Sequence, residues 1–156
     1  MTNKPRSIGT AAETAVVRYL RRYWPTADRS PLRGNRDQGD IRGTGEIIWE
    51  VKAGTAAKGA GTAEPNAKLI AHWMMQTETE RQHAGARLGV LVTHRRGYGV
   101  GNVDRWWAWL TAGMLYAVTG YGYESNHVVR LELGALIEIL GDNGWIADFG
   151  EQDVTA

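Results

Sequence analysis

Apolar residues recur at Ile8, Ala12, Ala15, Val16, Tyr19, Leu20 and Tyr23. Steps of three and four put them on one face of a helix over about 8–23, and Pro25 stops the run. Residues 29–33 read as a short strand. Gly39–Arg42 and Glu46–Ala53 read as a strand pair around a Gly43-Thr44-Gly45 turn. Residues 54–63 are Gly, Ala, Thr and one Lys, which cannot fill a core, and predict a mobile loop. Pro65 suits the first turn of a second helix. Leu69, Ile70, Trp73 and Met74 give that helix an apolar stripe, and Gly85 ends it. Leu88–Thr93 is a β-branched-rich strand, Arg105–Leu110 and Val128–Leu131 are further strands, and Leu133–Leu140 is a closing helix before Gly141. The predicted order is α-β-β-β-α-β-β-β-α: an α/β protein whose mixed central sheet is flanked by helices. No internal repeat divides residues 1–156, so one domain is expected.

Composition narrows this picture. A chain of 156 residues with 43% hydrophobic positions can bury a core, which excludes disorder throughout. The absence of cysteine excludes disulfides and cysteine-ligated zinc and suits a reducing compartment. Met1-Thr2-Asn3-Lys4-Pro5-Arg6 leads into a mixed segment rather than an apolar signal core, and no apolar run reaches membrane-spanning length. A soluble, cytoplasmic protein is expected.

The formal net charge is only +1, but it is unevenly spread. Residues 1–100 hold 16 Lys and Arg against 9 Asp and Glu, whereas residues 101–156 hold 2 against 8. A basic first two-thirds suits a polyanionic partner such as DNA. A solvated surface with an acidic tail would read the same way.

The candidate chemistry lies between residues 39 and 52. Gly39-Asp40-Ile41 is followed nine residues on by Glu50-Val51-Lys52. Side chains alternate along a strand, so Ile48, Glu50 and Lys52 share one face and Ile47, Trp49 and Val51 the other. Asp40, on the neighbouring strand, reaches the same spot. Two converging carboxylates repel, and a hard cation resolves that repulsion. Mg²⁺ prefers such oxygen ligands, and the Val51 carbonyl is a third candidate. Lys52 would position or activate an attacking water. Each piece alone has a plainer explanation. Glu-x-Lys is often a surface ion pair, Asp40 suits a turn, and Thr10-x-x-Glu13 is also a capping box.

Together these residues resemble the PD-(D/E)xK nuclease superfamily. Asp40 matches its metal-binding aspartate, and Glu50 with Lys52 match its (D/E)xK element. Gly39 stands where the usual proline would be. The resemblance implies a restriction-endonuclease-like αβββαβ core over residues 8–94, with extra C-terminal strands and a helix. Many members carry a glutamate on the first helix that joins the metal site. Glu13 is the matching residue, at the edge of the apolar face. Gly9-Thr10-Ala11-Ala12-Glu13, Gly-Asp-Ile and Glu-x-Lys most resemble archaeal-type Holliday junction resolvases and related phage enzymes. That likeness implies a Mg²⁺-dependent endodeoxyribonuclease, with Mn²⁺ able to substitute, that cuts branched four-way DNA as a homodimer in recombination or repair. The same core also serves nucleases of linear duplexes, nicks and DNA ends. A DNA-binding module without catalysis is a third alternative, which has no need of Asp40, Glu50 and Lys52.

Weaker signals surround this core. Arg33 and Arg36 precede Asp40, Lys58 lies in the predicted loop, and Arg95, Arg96 and Tyr98 follow a strand. These residues are candidate DNA contacts, since cations beside an exposed aromatic suit unpaired nucleic acid. Gln76 is at a helix position where some superfamily members place a site-facing glutamine. Its neighbours Thr77, Glu78 and Glu80 favour an exposed face instead. Gly97-Tyr98-Gly99-Val100-Gly101 lacks the Lys-Ser/Thr of a phosphate-binding loop, so no nucleotide cofactor is expected. His72, His83, His94 and His127 show no metal-ligand spacing. Trp106, Trp107 and Trp109 fall on one predicted strand, as core or as a dimer contact.

Overall fold

The structure is a computed structural model that describes residues 4–31, 37–53, 64–120 and 124–150. Helix α1 (Lys4–Leu20) precedes three strands, β1 (Asp28–Arg29), β2 (Ile41–Thr44) and β3 (Ile47–Lys52). Helix α2 (Ala67–Ala84) leads to β4 (Leu88–Thr93). A 3-10 segment (Val100–Arg105), β5 (Trp107–Thr111), α3 (Ala112–Thr119), β6 (Val128–Glu132) and α4 (Leu133–Asp142) complete the chain. The six strands lie side by side in chain order. All neighbours are antiparallel except β3 and β4, which run parallel with α2 in the connection between them.

Helix α2 is delimited by its own sequence. The Asn66 side chain accepts a hydrogen bond from the Leu69 N–H, and Gly85 closes the helix in the left-handed region at φ 63°. Pro65 therefore sits one residue before the N-cap, not within the first turn.

The strand pattern sorts residues onto two faces. Ile47, Trp49 and Val51 join Ala12, Val16 and Leu20 of α1, Leu136 and Leu140 of α4, and alternate residues of β4 and β5 in the main core. On the opposite face Leu91 packs with Ile70 and Trp73 of α2. Helices thus cover both sides of β3, which is why all but its last residue is buried. Trp49 is fully buried, and its Nε1 donates to Thr44 Oγ1 at 2.9 Å. Truncating it to Ala would cost about 3–5 kcal/mol.

Several boundaries differ from the sequence expectation. Helix α1 begins at Lys4, so Thr10 lies within the helix and caps nothing. The β2–β3 turn is Gly45-Glu46, because Thr44 stays in β2, where its hydroxyl bonds the Ile47 carbonyl at 2.9 Å. Trp106 precedes β5 and is buried in the main core, while Arg105 ends the 3-10 segment. Helix α3 was not expected from the apolar pattern. Its N-cap is Thr111, whose side chain accepts from the Met114 N–H. The predicted loop at 54–63 lies outside the described residues. Among the described residues no helix is long and apolar enough to cross a membrane.

Candidate active site

Asp40 is set in place by the backbone of β3. Its own N–H donates to the Trp49 carbonyl at 2.8 Å, and its Oδ2 accepts from the Val51 N–H at 2.7 Å. Gly39 makes this entry feasible. Its φ is +86°, and a Cβ there would stand 3.0 Å from the Trp49 carbonyl oxygen. Proline, locked near φ −65°, cannot adopt that conformation. The N–H and carbonyl of one strand residue leave by the same edge. The Val51 carbonyl therefore opens toward the side that Asp40 occupies.

Glu50 and Lys52 share the α2-facing side of β3, as alternation requires. Lys52 Nζ lies 2.8 Å from Glu50 Oε1. The Glu50 residue is only 5% exposed, and its Oε2 is buried with no hydrogen-bond partner among the described residues. A third carboxylate faces it from α2. Glu80 is 7% exposed, interacts directly with Glu50, and also leaves its Oε2 buried without a partner.

Burial pushes Asp40 up to about 8, with the charges of Glu50 and Glu13 adding to it and the Val51 N–H opposing. Burial likewise pushes Glu50 up to about 8; Lys52 opposes this and Glu80 adds to it. Glu80 is raised as well, chiefly by burial. For Lys52 burial acts downward, but Glu50, Asp40 and Glu80 outweigh it and hold the ammonium above its ordinary value. The cluster therefore holds protons at neutral pH, which limits the negative charge left for Lys52 to offset.

Glu80 contradicts the expectation of an exposed helix face. Ile70, Trp73, Thr77 and Glu80 recur at steps of three, four and three, and all four are buried. That spacing was the available signal; the polar residue type hid it. Gly89 of β4 permits the close approach of α2, since a Cβ there would lie 3.2 Å from Thr77 Cγ2. Gln76, by contrast, is exposed.

Glu13 lies on α1 beside a cleft of about 440 Å³ lined by Thr10, Arg29, Asp37 and Asp40 among others. Its Oε2 accepts from Arg29 Nε at 2.9 Å and pairs with Nη2 at 2.7 Å. It thus faces the same space as Asp40 while held by Arg29, a partner that the sequence did not single out.

The expected DNA contacts divide three ways. Arg33, Arg36 and Lys58 lie outside the described residues. Arg95 stacks on Trp107 at 3.9 Å and lies 3.2 Å from Glu132, and Arg96 is exposed. Tyr98 is not the exposed aromatic expected. It is half-buried against the main core, and its carbonyl accepts from Trp106 Nε1 at 2.9 Å.

The donor set suits a hard divalent cation. It consists of carboxylate oxygens, two of them buried and unsatisfied, with a backbone carbonyl at the same strand edge. Among the described residues no three His, Asp or Glu side chains already close around one point as a metal cage. Lys52 occupies one of the oxygens that such a cage would use. Compared with known proteins, the chain matches no family model, and no curated protein or solved structure is significantly similar to it.

Proposed function

We propose that this protein is a metal-dependent endonuclease with a restriction-endonuclease-like core, acting on branched DNA as a homodimer. The observation that carries this reading is the gathering of Asp40, Glu50 and Lys52 about one end of β3, with Glu80 of α2 set against Glu50 and the buried Oε2 of each carboxyl reached by no N–H of the described residues. The α-β-β-β-α-β order up to Thr93 supports it, while Gly39 departs from the motif's proline. A cluster assembled only for stability would not bury three carboxyl groups beside one ammonium, because keeping polar groups in the core, neutral or charged, costs free energy that apolar side chains would not.

Asp40 and Glu50 would hold the cation, with the Val51 carbonyl, Glu80 and Glu13 as further oxygen donors around it. Mg²⁺, or Mn²⁺ in its place, would offset charge on the scissile phosphate and on the departing 3′ oxygen. Lys52 stays cationic beside Glu50 and orients the attacking water toward phosphorus. Water adds to phosphorus, the P–O3′ bond breaks, and the 3′ oxygen leaves as a hydroxyl after taking a proton. Glu13, held by Arg29, fixes the α1 side of the cleft.

The site is tested by Asp40→Asn and Glu50→Gln, each assayed for Mg²⁺-dependent cutting and, in EDTA, for DNA binding. Loss of cutting with binding retained is the expected result. Full activity in either variant refutes the assignment.

A further inference from the structure

The sheet face that carries Glu50 and Lys52 continues across β4 and β5. Lys52 pairs with Thr93, Thr93 with Trp107, and Trp107 with Glu132. The adjacent row runs Glu50, Leu91, Trp109, Arg130. Cross-strand partners project to the same side, and strands are about 4.8 Å apart, so Trp107 stands roughly 10 Å from Lys52 on the same surface.

Trp109 packs against the α2 cluster, and its Nε1 donates to Thr93 Oγ1 at 2.9 Å. Trp107 belongs to neither apolar cluster of the described residues and is only half-buried. Its ring is instead approached by two guanidiniums, Arg95 and Arg130, each 3.9 Å from the ring centroid. Arg95 is tied to Glu132, which also takes Arg105 at 2.6 Å. Arg130 is exposed and forms no ion pair among the described residues. A tryptophan left outside the core, covered by an unpaired arginine and bordered by Arg95 and Arg105, combines a π-face with net positive charge.

We propose that Trp107 is a stacking platform for an unpaired base of the DNA substrate, with Arg130 moving from the ring to the adjoining phosphate. The inference rests on the nuclease reading for its substrate and names which part of that substrate the sheet face takes. Stacking on an aromatic ring is indifferent to base identity and needs a base free of its duplex partner. It would select strand junctions and flaps over continuous duplex at a position beside the reacting phosphate.

The test is binding in EDTA, where no cutting is required, of a single-stranded oligonucleotide carrying 2-aminopurine and of a fully paired duplex of the same sequence. Stacking predicts quenching of 2-aminopurine by the wild-type protein. It also predicts that Trp107→Ala weakens single-strand binding about tenfold, with the quenching lost and duplex binding changed less than twofold. Trp107→Phe should keep most of both, and Arg130→Gln should weaken binding with a shallower salt dependence. Trp107→Phe and Arg130→Gln decide the matter if Trp107→Ala fails to fold. Unchanged affinity and no quenching would mean that the protein's own chain covers the ring, and would overturn the inference. If Mg²⁺-dependent cutting is absent but quenching is present, the nuclease reading fails and the platform stands.

Discussion

Glu80 of α2 and Glu50 of β3 face each other across the helix–sheet boundary, and each keeps one buried carboxylate oxygen without a partner. Two carboxyls in that position hold a proton or share a cation. Removing one should therefore separate stability from function. In EDTA at pH 8, Glu80→Gln is expected to raise the melting temperature by about 2–4 °C, the equivalent of roughly 1 kcal/mol for a domain of this size. Mg²⁺-dependent cutting should fall at least tenfold. Thermal melts with and without Mg²⁺ check the first part; a variant less stable than wild type in EDTA contradicts it.

The raised carboxyls give stability a definite pH dependence. Asp40 and Glu50 titrate near 8 in the folded, metal-free protein, well above their ordinary values. Between about pH 4.5 and 8 the folded state thus holds protons that the unfolded chain has lost, so these groups make stability fall as pH rises. Their stabilising contribution is complete below the unfolded values and is lost through about pH 8. The melting-temperature difference between wild type and Glu50→Gln in EDTA isolates the effect. Wild type should lose ground to the variant steadily from pH 5 to pH 8, and a constant difference would refute the assignment.

Lys52 is the one cation in direct contact with Glu50 among the described residues. Lys52→Met would leave a buried carboxylate without its counter-charge, a change that costs about 3 kcal/mol or more. Protonation of Glu50 relieves that cost, so the loss should be smaller at pH 6 than at pH 8. Urea unfolding at the two pH values measures it, and activity should disappear at both.

Gly39 holds Asp40 through its backbone conformation rather than through any side chain. Gly39→Ala forces a Cβ into the left-handed region and to within 3.0 Å of the Trp49 carbonyl oxygen. About 1–3 kcal/mol of destabilisation follows, with a loss of activity out of proportion to it, because Asp40 moves. Gly39→Pro should be worse still, since φ +86° is closed to that ring.

Much of this arrangement was legible in the chain. Period-two alternation placed Glu50 and Lys52 together, and the element order up to Thr93 followed from apolar spacing and from Gly85. Glu80 was missed because a buried glutamate breaks the polarity rule that sorts helix faces, although its spacing from Ile70, Trp73 and Thr77 obeyed the helical period. Arg29 was missed because a two-residue edge strand gives no periodic signal. Helix α3 was missed because Ala112 to Thr119 is apolar on several sides and follows directly from β5, so neither period stands out. The role of Trp107 depends on strand register across three hydrogen-bonded neighbours, which no local pattern encodes.

The most direct measurement is cleavage of a four-way DNA junction and a matched linear duplex, side by side, in Mg²⁺ and in EDTA. Paired, symmetric nicks in the junction that require Mg²⁺ are expected, with the linear duplex cut more slowly. Cutting that persists in EDTA, or no cutting of either DNA in Mg²⁺ or Mn²⁺, would contradict the nuclease reading.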